Sequence, residues 1–370
     1  MLNIQVQGAP NFYQCYEGVL NILQEKIDEQ NWQKGILLHG NKSWQAANDF
    51  FPNLSTPLTL LPYQGECSTE EVNRISEITV AEHADFIIGV GGGKVMDLAK
   101  AVGNENDLSV ILIPTLAANC APWTPLSVFY DGEGNFLHYT IFPKSTYMVL
   151  IEPRILLDAP VDYLRAGIGD TLAKWYEADV LSKDISPKPL PLEIALHAAK
   201  MCKEVLLKEG EEAISAVYKG HLTSSFVRVI ETIILAGGMV GGYGDHYGRI
   251  AGAHSIHNGL TYIKETHSYL HGEKVAYGIL VQLALENRLD EVEKLLPFYQ
   301  KLNLPISIKD FGIFNQMKEK IAIIAEEATK PSESIHYMHV SNQKEVINGI
   351  YSLEQFISST LEEKNKEGTV

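Results

Sequence analysis

Three histidines and an aspartate are the residues whose types and spacing suggest metal chemistry. In AGAHSIHNGL, His254 and His257 are three apart on a stretch with helical spacing; His271 opens HGEKVAYG, and Asp170 closes GIGD where another helical stretch begins. Two imidazoles and a carboxylate make a suitable shell for one divalent ion, with a fourth position open to water or substrate. His254 and His257 need not share that ion, so His257 is expected behind the ligands rather than among them. Spacing alone does not bring Asp170 to His254, and a lone histidine in a helical segment is more often a hydrogen-bonded packing or surface residue.

A second cluster suits a phosphate. Gly91, Gly92, Gly93 and Lys94 follow the apolar run DFIIGV and lead into VMDLAKAVG, whose spacing is helical. Glycines at a strand-to-helix turn let backbone N–H groups approach a pyrophosphate, and the helix N-terminus adds partial positive charge. The turn departs from G-x-G-x-x-G, because Lys94 stands where the last glycine belongs, and from the P-loop, because Val95 replaces Ser or Thr. A turn shaped only for close packing would read the same way. At LLHGNKSW, where many dinucleotide enzymes place an acid on the adenosine ribose, the chain has His39 and Gly40. Asn41, Lys42 and Ser43 could instead cradle a 2′-phosphate, so Gly40 and Lys42 are expected at the cofactor, with NADP(H) preferred and NAD(H) possible.

The elements that must carry these groups follow from periodicity. GILLHG, LTLLP, DFIIGVGGG and LSVILIPTLAA are consecutive apolar runs too short for helices, the signature of strands buried on both faces of a parallel sheet. Helical patterns lie between them, the clearest opened by a Ser68 to Glu71 capping box. Beyond IEPRILLDAP the apolar residues recur at spacings of three and four. The expected architecture is an α/β dinucleotide-binding domain over 1–155, with a Rossmann-like parallel sheet, and an all-α metal- and substrate-binding domain over 156–370. A net charge of -16 argues against nucleic-acid and anionic-membrane partners. The four cysteines, Cys15, Cys67, Cys120 and Cys202, show no C-x-x-C spacing. The opening MLNIQVQGAPNFYQ lacks the pattern of a leader, and no consecutive apolar run approaches the roughly 18 residues of a membrane span, so a cytoplasmic location is expected.

Five segments, GGGKVMDLAKAV, IPTLAANCAPWTPLSVFY, GIGDTLAKWYEA, AHSIHNGL and HGEKVAYGILVQ, occur in an order that resembles the glycerol dehydrogenase group of the iron-containing alcohol dehydrogenase superfamily. The resemblance runs over nearly the whole chain. It implies a dehydroquinate synthase-like architecture with the active site between an α/β domain and a helical domain. Carried over by position, it implies Asp170, His254 and His271 as metal ligands; Gly92, Gly93, Lys94 and Asp97 in the pyrophosphate loop; and Thr115, Thr124, Leu126 and Tyr130 around the nicotinamide.

Departures from the group narrow the substrate. Glycerol dehydrogenases carry a substrate-binding Asp where this chain has Cys120, and the iron-dependent branch has a fourth ligand, His, where this chain has Lys174. CAPWTPLSVFY, GDTLAKWYEA, GGMVGGYGD and SIHYM resemble the hydroxycarboxylate dehydrogenase branch, which implies reduction of 2-oxo acids with NADPH. Cys120 and Lys174 then belong to the substrate site, His257 becomes a candidate proton relay, and Lys174, Arg249, Lys274 and Lys330 are all candidates for binding a substrate carboxylate. Zn²⁺ is the expected ion for one Asp and two His. A glycerol or other polyol dehydrogenase using NAD is the alternative reading. A lyase of this architecture would need a Lys- and Arg-rich phosphate pocket that the sequence lacks, and a non-catalytic dinucleotide sensor would not need the ligand set. The partner is expected to be a small 2-oxo acid or alcohol, with a homo-oligomer possible.

Overall fold

The computed structural model describes residues 3–132 and 134–367. Six parallel strands form one sheet: β1 (Phe12–Cys15), β2 (Gly35–His39), β3 (Leu58–Pro62), β4 (Phe86–Gly91), β5 (Ser109–Pro114) and, after a separate antiparallel hairpin of β6 (Leu126–Tyr130) and β7 (Phe136–Ile141), β8 (Met148–Ile151). Their order is β1-β8-β5-β4-β2-β3. Every residue of β2 and β4 is buried, as consecutive apolar runs require, whereas edge strand β3 is half exposed. Register pairs His39 with Val90 and Gly91 with Pro114, so β2, β4 and β5 end level at the carboxyl edge, where an open α/β sheet offers its ligand crevice. The expected capping box is half formed. Ser68 Oγ accepts the Glu71 N–H at 3.2 Å, but the Glu71 carboxylate turns to Arg74 and the Gln64 N–H.

From Pro153 onward the described residues form helices joined by loops, and glycines set how closely the helices pack. Carbon at Gly272 would fall 1.8 Å from the Ala166 carbonyl oxygen, and at Gly169 2.5 Å from the Gly272 carbonyl oxygen, so the Val161–Ser182 and His271–Leu285 helices touch backbone to backbone. At Gly278 it would fall 2.2 Å from the Ala253 carbonyl oxygen, which seats the Gly252–Leu260 helix in the same way. Gly167 performs this role between the two halves, where carbon would meet the Ala117 carbonyl oxygen at 2.0 Å.

One helix bears on the expectation about membrane-length runs. Ser224–Gly248 is long and apolar enough to span a bilayer by length and composition, with a mean hydropathy of 1.4 over its most apolar window. That window is 72% buried inside the fold, and Phe226, Ile230, Ile233 and Ile234 are fully enclosed, which is the pattern of a core helix. A π-helical turn at Thr232–Ala236 interrupts it beside the loop that carries Cys120.

Candidate active site

The glycine turn sits where β4 passes into the Gly93–Glu105 helix, with Gly92 in extended conformation at the N-cap and no side chain capping the first turn. A carbon on Gly92 would come within 2.9 Å of Leu116, and one on Gly93 within 3.1 Å of the Asn119 amide, so the 115–120 loop overlies the turn and leaves it bare only because it is glycine. Bare amides at a helix start fit a dinucleotide pyrophosphate. Lys94 is exposed and turned aside, ion-paired with Glu66 and 5.3 Å from the centroid of the Tyr130 ring. Burial, with the Asp97 and Glu66 carboxylates adding to it, pushes the Tyr130 hydroxyl up to about 12.

At the end of β2, Ser43 Oγ accepts the Gly40 N–H at 3.0 Å and donates to the Val90 carbonyl at 2.8 Å, tying that corner to β4. Asn41 and Lys42 are exposed and no carboxylate of the Gly40 to Ser43 segment faces the crevice, because the segment has none.

Asp97 is placed differently from the other phosphate-loop candidates. Its carboxylate is buried, accepts the Val128 N–H at 3.1 Å and lies 2.9 Å from Lys100 Nζ. The Lys100 ammonium in turn donates to the carbonyls of Ala121, Thr124 and Leu126. Asp97 and Lys100 therefore hold the 121–128 loop, which carries Thr124 and Leu126, instead of facing the turn. Thr115 is buried at the end of β5, its N–H bonded to the Gly91 carbonyl at 2.9 Å. Cys120 ends the 115–120 loop and lies beside Gly237, where an added carbon would meet Thr171 at 3.4 Å and the Cys120 Cβ at 3.7 Å. Burial pushes its thiol up, opposed by Lys174.

Asp170, His254 and His271, scattered over a hundred positions, converge. One ligand atom from each lies within 4.8 Å of the others, with Asp170 and His254 buried and His271 exposed. Asp170 Oδ1 is 3.4 Å from His254 Nε2 and 3.2 Å from His271 Nε2. Against the effect of burial, the two rings hold the Asp170 carboxyl well below the ordinary carboxylate range. Burial also opposes charge on His254, yet the Glu177 and Asp170 carboxylates flanking it raise its pKa to about 9. The group draws positive charge, and its two nitrogens and one oxygen fit a divalent ion. His257 stands behind His271, its Nε2 2.9 Å from His271 Nδ1 and its Nδ1 2.9 Å from Asn258 Oδ1. Burial and the neighbouring rings push His257 well below its ordinary value, so it is a neutral ring accepting the His271 Nδ1–H. Both its nitrogens are engaged, and it lies outside the three-residue group.

The four candidate cations separate clearly. Lys330 pairs with Glu327 over the Tyr262 ring, and Arg249 stands 3.9 Å from Asp245. Lys274, near His257, has its ammonium pushed down by burial. Lys174, one turn beyond Asp170 on the same helix, donates to the Arg249 carbonyl at 3.3 Å and has no carboxylate at ion-pair distance among the described residues. Burial works against its charge, but Cys120, Asp170 and Glu177 keep its pKa above the ordinary value. The sequence reading missed Glu177, whose position seven residues after Asp170 puts it on the same helix face.

Residues 10–153 match the iron-containing alcohol dehydrogenase family model. Hydroxycarboxylate dehydrogenase A of Escherichia coli (strain K12) is 40% identical over 347 residues, 91% of this chain and 94% of its own. A glycerol dehydrogenase of Thermotoga maritima is 34% identical over 337 residues, 90% of this chain and 89% of its own. The crystal structure of glycerol dehydrogenase from Schizosaccharomyces pombe superposes with a TM-score of 0.87 at 28% identity, covering 98% of this chain and 94% of that one.

Proposed function

The chain belongs to the iron-containing alcohol dehydrogenase family and is a dehydrogenase acting on CH–OH groups; from that footing we propose that it interconverts small 2-oxo acids and 2-hydroxy acids with NADP(H). The observation that carries the substrate class is Lys174, a half-buried ammonium beside Asp170 and Cys120 with no carboxylate at ion-pair distance among the described residues. Asp170 and Glu177 keep that ammonium charged without standing at ion-pair distance, and a substrate carboxylate is a partner of fitting charge. Cys120 adds to this reading, since its thiol offers a polyol no strong acceptor. The name and coverage of the 40% identical relative point the same way.

In this reading residues 1–155 bind the dinucleotide and 156–370 the substrate. The Gly92 and Gly93 amides receive the pyrophosphate, and Gly40 and Lys42 accommodate the 2′-phosphate, where an acid would repel it. Asp170, His254 and His271 would hold Zn²⁺, which polarises a carbonyl oxygen when bound. His257 fixes the tautomer of His271 by accepting its Nδ1–H, leaving Nε2 free to coordinate.

Steady-state rates for 2-oxobutanoate with NADPH and for glycerol with NAD, each with saturating Zn²⁺, test the class and the cofactor together. Wild type should favour the first pair. Lys174→Met should lose roughly tenfold or more in kcat/KM for 2-oxo acids, because a charged hydrogen bond contributes about 1.5–3 kcal/mol, while an uncharged hydroxyketone of equal size loses little. Preference for glycerol with NAD, or equal losses on charged and neutral substrates, would sink the assignment.

A further inference from the structure

We propose that Glu177 is a positioning residue that fixes which nitrogen of His254 is free to bind metal, an inference resting on the metal reading above. Glu177 is 1% exposed and pairs with no lysine or arginine among the described residues. Its two oxygens divide their work. Oε1 accepts the Ala251 N–H at 2.7 Å and the His254 N–H at 3.0 Å, and Oε2 lies 2.8 Å from His254 Nδ1.

The backbone half of this arrangement starts a helix. Ala251 is the N-cap of the Gly252–Leu260 helix and has no side chain able to cap it, so a carboxylate from the Val161–Ser182 helix satisfies amides that a Ser or Asp would ordinarily serve. The side-chain half sets a proton. A carboxylate at Nδ1 can only accept, so the ring proton stays on Nδ1 and the lone pair stays on Nε2, the nitrogen 3.4 Å from Asp170 Oδ1. The same helix face thus carries a ligand, Asp170, and the group that orients a second ligand. Because Glu177 holds the ring and the first turn of its helix at once, His254 has little freedom to turn from Asp170.

Glu177→Gln separates the two halves. Its amide oxygen can still accept the backbone N–H groups, but its NH₂ then faces Nδ1 and favours the opposite tautomer, with the proton on the coordinating nitrogen. Zn²⁺ affinity, measured by competition with a chromophoric chelator, should fall about 10- to 100-fold in Glu177→Gln, while NADPH binding followed by fluorescence and the thermal midpoint in chelator stay close to wild type. Unchanged Zn²⁺ affinity in Glu177→Gln beside a weakened His254→Ala would overturn the proposal and leave Glu177 a helix cap. Unchanged affinity in His254→Ala would instead overturn the metal reading on which it rests. A second measurement needs no variant: in ¹⁵N-histidine spectra of Zn²⁺-loaded wild type, His254 should carry its proton on Nδ1, and coordination through Nδ1 would equally overturn the proposal.

Discussion

Replacing Gly272 with alanine tests the packing that brings Asp170 and His271 together. The new carbon would sit 1.8 Å from the Ala166 carbonyl oxygen, with the Ala166 carbonyl carbon at 2.5 Å, whereas ordinary contact begins at 3.4 Å. The obstacle is backbone on both sides, so no side chain can swing away, and the two helices must part by roughly 1.5 Å at that level in a close-packed interior. Overpacking of this kind costs about 1–3 kcal/mol. Its effect on metal binding should be the more specific one, because ligand distances tolerate only about 0.2 Å, and His271 is the residue next to the added methyl. Purified Gly272→Ala is therefore expected to melt several degrees below wild type and to bind Zn²⁺ at least about tenfold more weakly, with NADPH binding retained because the glycine turn lies on another element. Gly132→Ala, where an added carbon meets nothing within 4 Å, is the control and should match wild type in all three measurements. Wild-type melting and Zn²⁺ affinity in Gly272→Ala would show that the two helices do not rely on backbone contact there.

Cys120→Asp should lower kcat/KM for 2-oxo acids and raise it for 1,2-diols, each by at least about tenfold, through repulsion of a carboxylate and acceptance of a second hydroxyl; parallel losses on both substrates would identify Cys120 as packing alone. Gly40→Asp should weaken NADPH and strengthen NADH in fluorescence titrations, although its Cβ would stand 3.2 Å from both Ser43 Oγ and the Tyr63 ring, so part of the gain goes into shifting that ring. A wild type that already prefers NADH contradicts the argument from this corner. Glu152 is fully buried; burial would raise its pKa, but Arg154 and the Gly18 N–H prevail and hold it below 4.5. With the folded value depressed, its contribution is complete above about pH 4.5 and is lost as the pH falls through the folded value, so denaturant midpoints should drop in that acid range and drop less steeply in Glu152→Gln.

Strands buried on both faces were legible as unbroken apolar runs, which is why β2, β4 and β5 stand where the sequence puts them. β1 and β8 are four residues each, too short for a pattern to register, and β7 exposes Phe136, Leu137 and Tyr139, so its residues follow neither a buried nor an alternating rule. The ligand types at the metal group could be read from AHSIHNGL, HGEKVAYG and GIGD, but their convergence could not, because it depends on backbone contacts at Gly169, Gly272 and Gly278 between distant segments. Glu177 had a signal, the i, i+7 spacing from Asp170, which an acid in an amphipathic helix ordinarily explains as solvent exposure. Asp97 shows the converse: its place after the glycine turn suggests phosphate work, while its carboxylate faces Lys100 and the Val128 N–H.

That arrangement around Lys100 bears on how the enzyme could be re-engineered. The loop bearing Cys120, Thr124 and Leu126 is the natural segment to exchange when a new substrate is wanted, and a donor sequence of matching length would appear self-contained. Its seat, however, is written elsewhere in the chain, in one lysine that gathers three of its carbonyls and one aspartate that receives the Val128 N–H. Because those contacts reach main-chain atoms, the transplant is free to vary in side chains yet bound to the original backbone path. The recipient helix thus acts as a template that screens grafts by shape, and libraries drawn from homologues that keep Asp and Lys at positions 97 and 100 should yield folded chimeras far more often than libraries that do not.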